Sequence, residues 1–293
     1  MDRRTDKRMR TLSLFSGIGG LDIGLQQWCR TVCYCEVNPY AIGVLIKNMV
    51  EGSLDVAPVW DNVRTLRQPQ LARLGPIECV QGGFPCQDIS GLGKRAGIKR
   101  GTRSGLFYEL MRVVRLAQPQ IVFLENVHRL LARGMDIVLR ELSKSGYNAL
   151  WQVLPASSLG FPHRRNRVWI LAYPRGGRFD GNVVLRILAR RRKKNSPVRV
   201  WDKEQFKLLA GKVAPAKWQY KGCDHPRSLF VRGDNGLPSQ LDKHRLETLG
   251  NAVVPQCAAL AFKTLLRQVL VEKKPKSNKL LIANHPLPRS RGT

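Results

Sequence analysis

Acidic residues are scarce in this chain. Its 293 residues carry 21 Asp and Glu against 50 Lys and Arg, a net charge of +29. No apolar stretch approaches the roughly 18 residues that span a bilayer, so no membrane segment is expected. The longest apolar run beside a predicted strand covers only residues 168–173. The seven thiols (Cys29, Cys33, Cys35, Cys79, Cys86, Cys223 and Cys257) are odd in number and contain no C-x-x-C pair. That excludes a complete disulfide framework and favours a reducing compartment. The alternation of Cys33 and Cys35 in an apolar run reads as packing rather than metal ligation. A basic N-terminus (residues 1–10) is followed by a glycine turn and Asp22 in place of an apolar h-region, so no signal peptide is expected. There are no internal repeats.

What is present is a core and a cation. Hydrophobic residues make up 43% of the chain, enough for one large domain or two small ones. An excess of positive charge is a statement about partners, and a polyanion is the first candidate. Residues 1–173 alternate short apolar runs with amphipathic stretches. Strands are predicted over 11–15, 32–35, 78–81, 121–124, 150–154 and 168–173. Helices are predicted over 21–29, 40–50, 106–116 and 135–145. Such alternation predicts an α/β sheet with helices on both faces. From 175 to 232 the periodicity fails, and 16 Lys or Arg stand against four acids. Trp201, Phe206, Trp218, Tyr220 and Phe230 interleave with the bases there, which predicts a small basic domain. Arg190, Arg191 and Arg192 begin its densest run, either a solvated loop or a polyphosphate contact. A helix is expected over 258–270, then a mostly disordered tail from 272 to 293.

Several segments carry chemistry. Residues 12–20 read as a strand, a glycine turn and a helix start, where backbone can approach a ligand; an ordinary tight turn is the alternative. Glu36 ends the second strand and can hydrogen-bond both ribose hydroxyls, with Asp61 a third contact. Gln81-Gly82-Gly83-Phe84-Pro85-Cys86-Gln87 places a cysteine on a constrained loop just past a strand's carboxyl end, which suits a nucleophile; the other thiols suit a core. Residues 88–105 hold five glycines and five Lys or Arg, a mobile loop able to close on a phosphate backbone. Glu125 follows the apolar Ile121-Val122-Phe123-Leu124. It is a general-acid candidate, unless it is merely the first exposed residue. Alternation puts Arg165 and Arg167 on one face and Arg164 on the other, so the first two can grip a base carbonyl and a phosphate. His163 reads as a hydrogen-bonding support.

In this order the segments resemble the C5-cytosine DNA methyltransferases. Phe15-Ser16-Gly17-Ile18-Gly19-Gly20 is similar to that family's first cofactor motif, Gly83-Phe84-Pro85-Cys86-Gln87 to its Pro-Cys loop, and Glu125-Asn126-Val127 to its Glu-Asn-Val motif. Residues 102–107 resemble a further motif, 163–167 its arginine motif, and Gly250-Asn251-Ala252-Val253-Val254-Pro255 its last. The chain departs from the pattern at His163, where the family has Gln, and at Val37, often an aromatic there.

The resemblance implies a Rossmann-like S-adenosylmethionine-dependent fold spanning 8–173 and 244–271, a target recognition domain over 174–243, and the tail. It implies that Cys86 attacks C6 of a flipped cytosine, that Glu125 serves N3, and that Arg165 and Arg167 position the base, with Pro85 and Gln87 flanking the thiol. The cofactor, S-adenosyl-L-methionine, would contact Phe15, Ser16, Gly17, Gly19, Gly20, Glu36, Val37, Asp61, Asn62, Leu106, Asn251 and Val253. Double-stranded DNA would contact Ser90, Lys94, Arg95, Arg103, Arg190, Arg191 and Arg192. No metal is implied. A cytoplasmic, monomeric enzyme of a prokaryotic or phage-infected cell is expected, with a cognate restriction endonuclease as a possible partner. A tRNA cytosine methyltransferase and a non-catalytic DNA-binding relative are the alternatives.

Overall fold

The computed structural model describes residues 6–85, 98, 104–161, 165–176, 179–182, 185, 188 and 252–273. Its strands are β1 (Met9–Leu14), β2 (Cys29–Cys35), β3 (Val59–Trp60), β4 (Cys79–Gly82), β5 (Ile121–Val127), β6 (Tyr147–Pro155) and β7 (Asn166–Pro174). They form one sheet in the order β3-β2-β1-β4-β5-β7-β6. β1 to β5 pair in parallel, while β7 runs antiparallel to both β5 and β6. Only a short connection joins β6 to β7, too short for a parallel crossover, so the pair closes as a hairpin.

The helices are α1 (Gly20–Leu25), α2 (Pro39–Val50), α3 (Gln68–Leu74), α4 (Leu106–Ala117), α5 (Met135–Lys144) and α6 (Pro255–Lys273). They cover both faces, as the strand–helix alternation predicts. Leu12 and Leu14 of β1 point into one core with Leu71 of α3, Phe107 and Leu110 of α4, and Val138 and Leu142 of α5. Met9 points the other way, into a core shared by Leu21 and Leu25 of α1 and Phe262, Leu265 and Leu266 of α6. Parallel strands covered on both sides read as nearly continuous apolar runs, and β5 is buried at its first six positions.

Four expectations needed correction. The first helix ends at Leu25, not at 29: the Trp28 N–H donates to Leu25 O, and Met9 N–H to Trp28 O, so Cys29 already belongs to β2. Two elements are additional among the strands and α-helices. β3 has only two residues, too few for an alternation signal. α3 has seven, with a proline in its first turn and the Gln70 side chain accepting from the Arg67 N–H. Finally, Glu272 does not begin a tail. It lies inside α6, where its carboxylate accepts from the Tyr173 hydroxyl at 2.6 Å.

α6 returns to α1 through glycines. A Cβ at Gly20 would lie 2.5 Å from Val253 O, and one at Gly24 would lie 2.5 Å from Pro255 O and 2.8 Å from the Ala258 Cβ. Backbone cannot yield as a flexible side chain can. Gly24→Ala should therefore destabilise the protein by about 1–3 kcal/mol through overpacking, despite alanine's better helix propensity. A urea midpoint at or above that of the wild type would show that α6 can slide.

Candidate active site

The turn after β1 is bent by three residues in the left-handed region: Phe15 (φ 54°), Gly17 (φ 55°) and Gly19 (φ 84°). For Phe15 that conformation is uncommon and marks a constrained turn. The Ser16 hydroxyl is used internally, donating to Ser13 O at 3.1 Å and accepting from the Cys35 N–H at 3.2 Å. Glu36, at the end of β2, caps the turn. Its Oε2 accepts from the Gly17 N–H at 2.8 Å, and its Oε1 from the N–H groups of Val37 and Asn38 at 3.0 and 2.9 Å. A Cβ at Gly17 would meet nothing within 4 Å, so this turn faces open space. Val37 beside it is 73% exposed. Asp61 is exposed just beyond β3, and the Asn62 side chain caps the following turn by accepting from the Arg64 N–H. Leu106 opens α4, and Val253 lies against Gly20. The sheet therefore gathers the turn, Glu36, Val37, Asp61 and Asn62 at the carboxyl ends of β1, β2 and β3, with the segment before α6 supplying Val253.

The second half of the site lies at the ends of β4, β5 and β7. Glu125 is buried inside β5, so it is not the strand's first exposed residue. Its Oε1 pairs with Arg167 Nε at 2.8 Å. A Cβ at Gly83 would lie 2.9 Å from Glu125 Oε2, so a larger residue there would push on the carboxylate that Arg167 holds. Asn126 Nδ2 donates to Phe84 O at 3.1 Å and fixes the same segment from the other side. Arg165, with φ 31°, donates to Ala252 O and so ties β7 to the segment before α6. Glu125, Arg165, Arg167, Trp169, Val253 and Cys257 line one pocket, the common face that alternation predicts for the two arginines. Burial pushes the Glu125 carboxyl above the ordinary range, while Arg167 and then Arg165 pull it back.

Pro85 is the last described residue before the thiol. Cys86, Gln87, Ser90, Lys94, Arg95, Arg103, Arg190, Arg191, Arg192, His163, Arg164 and Asn251 lie outside the described residues, as does nearly all of the expected recognition domain. Cys29, Cys33, Cys35, Cys79 and Cys257 are buried free thiols, as the core reading has them.

Sequence reasoning missed Asp22. This α1 carboxylate is buried and accepts from Ser13 Oγ of β1 at 3.0 Å, Thr31 Oγ1 of β2 at 2.8 Å and Gln81 Nε2 of β4 at 2.7 Å. The available signal was weak: Ser13 and Gln81 are polar residues interrupting apolar strands. Burial pushes the Asp22 carboxyl up to about 6, against the pull of its donors. A folded pKa above the unfolded one means that stability from this group is complete below about 4 and is lost as pH rises through about 6. Between those limits the wild type should lose about 3 kcal/mol relative to Asp22→Asn. Parallel stability–pH curves for the two proteins would contradict this.

The fold is a mixed α/β sheet of Rossmann-like strand order with helices on both faces. The sequence model of the C-5 cytosine-specific DNA methylases matches residues 9–228, and the chain belongs to that family. It is 35% identical over 173 residues to the type II methyltransferase M2.BsuMI of Bacillus subtilis, covering 56% of this chain and 42% of that protein. It is 32% identical over 164 residues to the type II methyltransferase M.CviJI of Paramecium bursaria Chlorella virus IL3A, again covering 56% and 42%. The chain thus spans less than half the length of these relatives. Among solved structures, the S. pombe Dnmt2 methyltransferase is similar at 23% identity with a TM-score of 0.47, covering 66% of this chain and 59% of that one. No helix among the described residues is long and apolar enough to cross a membrane.

Proposed function

We propose that the chain transfers a methyl group from S-adenosyl-L-methionine to C5 of cytosine in a short sequence of double-stranded DNA, through a covalent bond between Cys86 and C6 of a flipped base. The observation that carries this reading is the buried Glu125–Arg167 pair, with Gly83 packed against it three residues before Cys86. A base that reaches this end of the sheet has left the duplex stack. Cys86 is the nucleophile at C6. Glu125, whose carboxyl burial favours protonation, holds the proton at N3, so that charge does not accumulate on the ring. Arg165 and Arg167 orient the base carbonyl.

The residues present suit the cofactor. The Phe15–Gly19 turn is open at Gly17, and the Gly17, Val37 and Asn38 N–H groups hold the Glu36 carboxylate beside it at the end of β2. Asp61, Asn62, Leu106, Asn251 and Val253 would complete the cradle. When bound, S-adenosylmethionine supplies an electrophilic methyl on a sulfonium. The duplex partner is supported by the net charge of +29 and by the type II methyltransferases among the relatives. A cognate endonuclease in the same cytoplasm belongs to this reading.

The test is transfer of labelled methyl from S-adenosylmethionine to unmethylated genomic DNA at near-physiological salt, followed by bisulfite sequencing. Methylated cytosines in one short context are expected. Transfer to tRNA but not to duplex DNA would replace the substrate. Binding of DNA and cofactor with no transfer to either acceptor would leave a non-catalytic relative.

A further inference from the structure

Two acids are buried among the described residues, Glu125 and Asp22, and the reaction proposed above uses only the first. The side-chain donors to Asp22 are two hydroxyls and an amide, all uncharged. A buried carboxylate held by neutral donors is a poor device for stability, since well-packed apolar groups of the same shape do as well or better. Its value lies in direction. The three donors come from three adjacent strands, β2, β1 and β4, and converge on the first turn of α1.

β4 has the greatest need of such a link. It is four residues long, and its last residue, Gly82, has no side chain to fix its position along the strand axis. Its backbone presses against β1, where a Cβ at Gly82 would lie 2.5 Å from Leu14 O. Gln81 is thus the last residue with a side chain before Gly82 and Gly83, and that side chain is bonded to Asp22 at 2.7 Å. Its orientation is forced, because the amide oxygen in place of the nitrogen would face a carboxylate. Among the described residues that oxygen has no partner, and the amide's hydrogen bond there is the one to Asp22. At the other end of the link, α1 begins directly after the turn that faces the cofactor space.

We propose that Asp22 is a positioning residue for methyl transfer: through Gln81 it locks the strand that delivers Cys86 to the helix behind the cofactor turn, fixing the distance between methyl donor and thiol. The inference rests on the methyl-transfer reading.

The experiment measures single-turnover methyl transfer by the full chain at saturating S-adenosylmethionine and DNA, in Asp22→Asn, Gln81→Leu, the double variant, and the exchanged pair Asp22→Asn with Gln81→Glu. Each single substitution is expected to slow the saturated rate about tenfold or more, as sub-ångström misplacement does, while the DNA dissociation constant stays within about twofold. The double variant should be no slower than the slower single, because both break one link. The exchanged pair restores the hydrogen bond with donor and acceptor reversed and should recover rate over Asp22→Asn.

A merely structural role would lower melting temperature and yield but leave the rate per folded molecule unchanged, and that result overturns the proposal. So do multiplicative losses in the double variant. Should Asp22→Asn fail to fold, Gln81→Leu decides alone, since Ser13 and Thr31 still hold the charge. A wild type that methylates no DNA overturns the proposed function itself. An active wild type with indifferent variants overturns only the positioning role.

Discussion

Methyl transfer by Cys86→Ser is expected to fall by about 10⁴-fold or more, with duplex binding and cofactor binding retained. A serine hydroxyl is almost wholly protonated at neutral pH, whereas a thiol yields a usable fraction of thiolate and is intrinsically the stronger nucleophile. Among the described residues the base that could rescue a hydroxyl is missing: Glu125 is engaged with Arg167, and burial favours its protonated form. The substitution removes no packing from the loop's anchors, which are Gly83 against Glu125 and Phe84 O bonded to Asn126. The measurement is single-turnover transfer beside a filter-binding isotherm on the same protein. Transfer within tenfold of the wild type would remove the covalent step from the proposed mechanism.

Arg167→Ala should cost about 3 kcal/mol of stability and most of the activity. Removing one partner of a buried pair leaves the other charge without compensation, which is costlier than never having had the pair. Arg165 remains close enough to keep the loss at the low end of that range. The sign with pH is fixed. Burial already raises the Glu125 carboxyl, and losing Arg167 raises it further. The variant therefore loses stability, relative to the wild type, as pH rises through the Glu125 titration, and regains it on acidification. Glu125→Gln leaves the Arg167 guanidinium without a carboxylate, but that side chain is 19% exposed and the amide oxygen can still accept from it. This substitution should be the milder change for folding, yet lower transfer by about 10²–10⁴-fold through loss of the N3 proton. A stability loss for Arg167→Ala that does not grow with rising pH across the protein's stable range would show that Glu125 is not the group left unpaired.

Legibility in the sequence followed the locality of the cause. β5 was legible because four apolar residues and an acid sit side by side, and α4 and α5 because their apolar positions recur at helical spacing. β3 was not: two residues carry no period, and its pairing with Tyr34 and Cys35 is set from β2. α6 was legible as a helix, but its last turn, held by Tyr173 acting on Glu272 across 99 positions, was not. Within the candidate site, the shared face of Arg165 and Arg167 beside Glu125 was legible from strand alternation. Asp22 belonged to no motif, and its partners at 13, 31 and 81 have no common spacing.

By itself, then, the sequence determined the alternation of strands and helices, the large positive charge, and which residue types stand ready for chemistry. All of these are properties of composition and neighbours along the chain. Only the tertiary structure decided that β7 inserts antiparallel between β5 and β6, so that Arg167 comes down on Glu125. It also decided that α6 and the residues just before it close on Gly24 and Gly20, and that an isolated aspartate holds three strands to one helix. The physical reason is the same in each case. A hydrogen bond or ion pair between residues dozens of positions apart depends on where the backbone has already gone, and no local pattern of side chains records that.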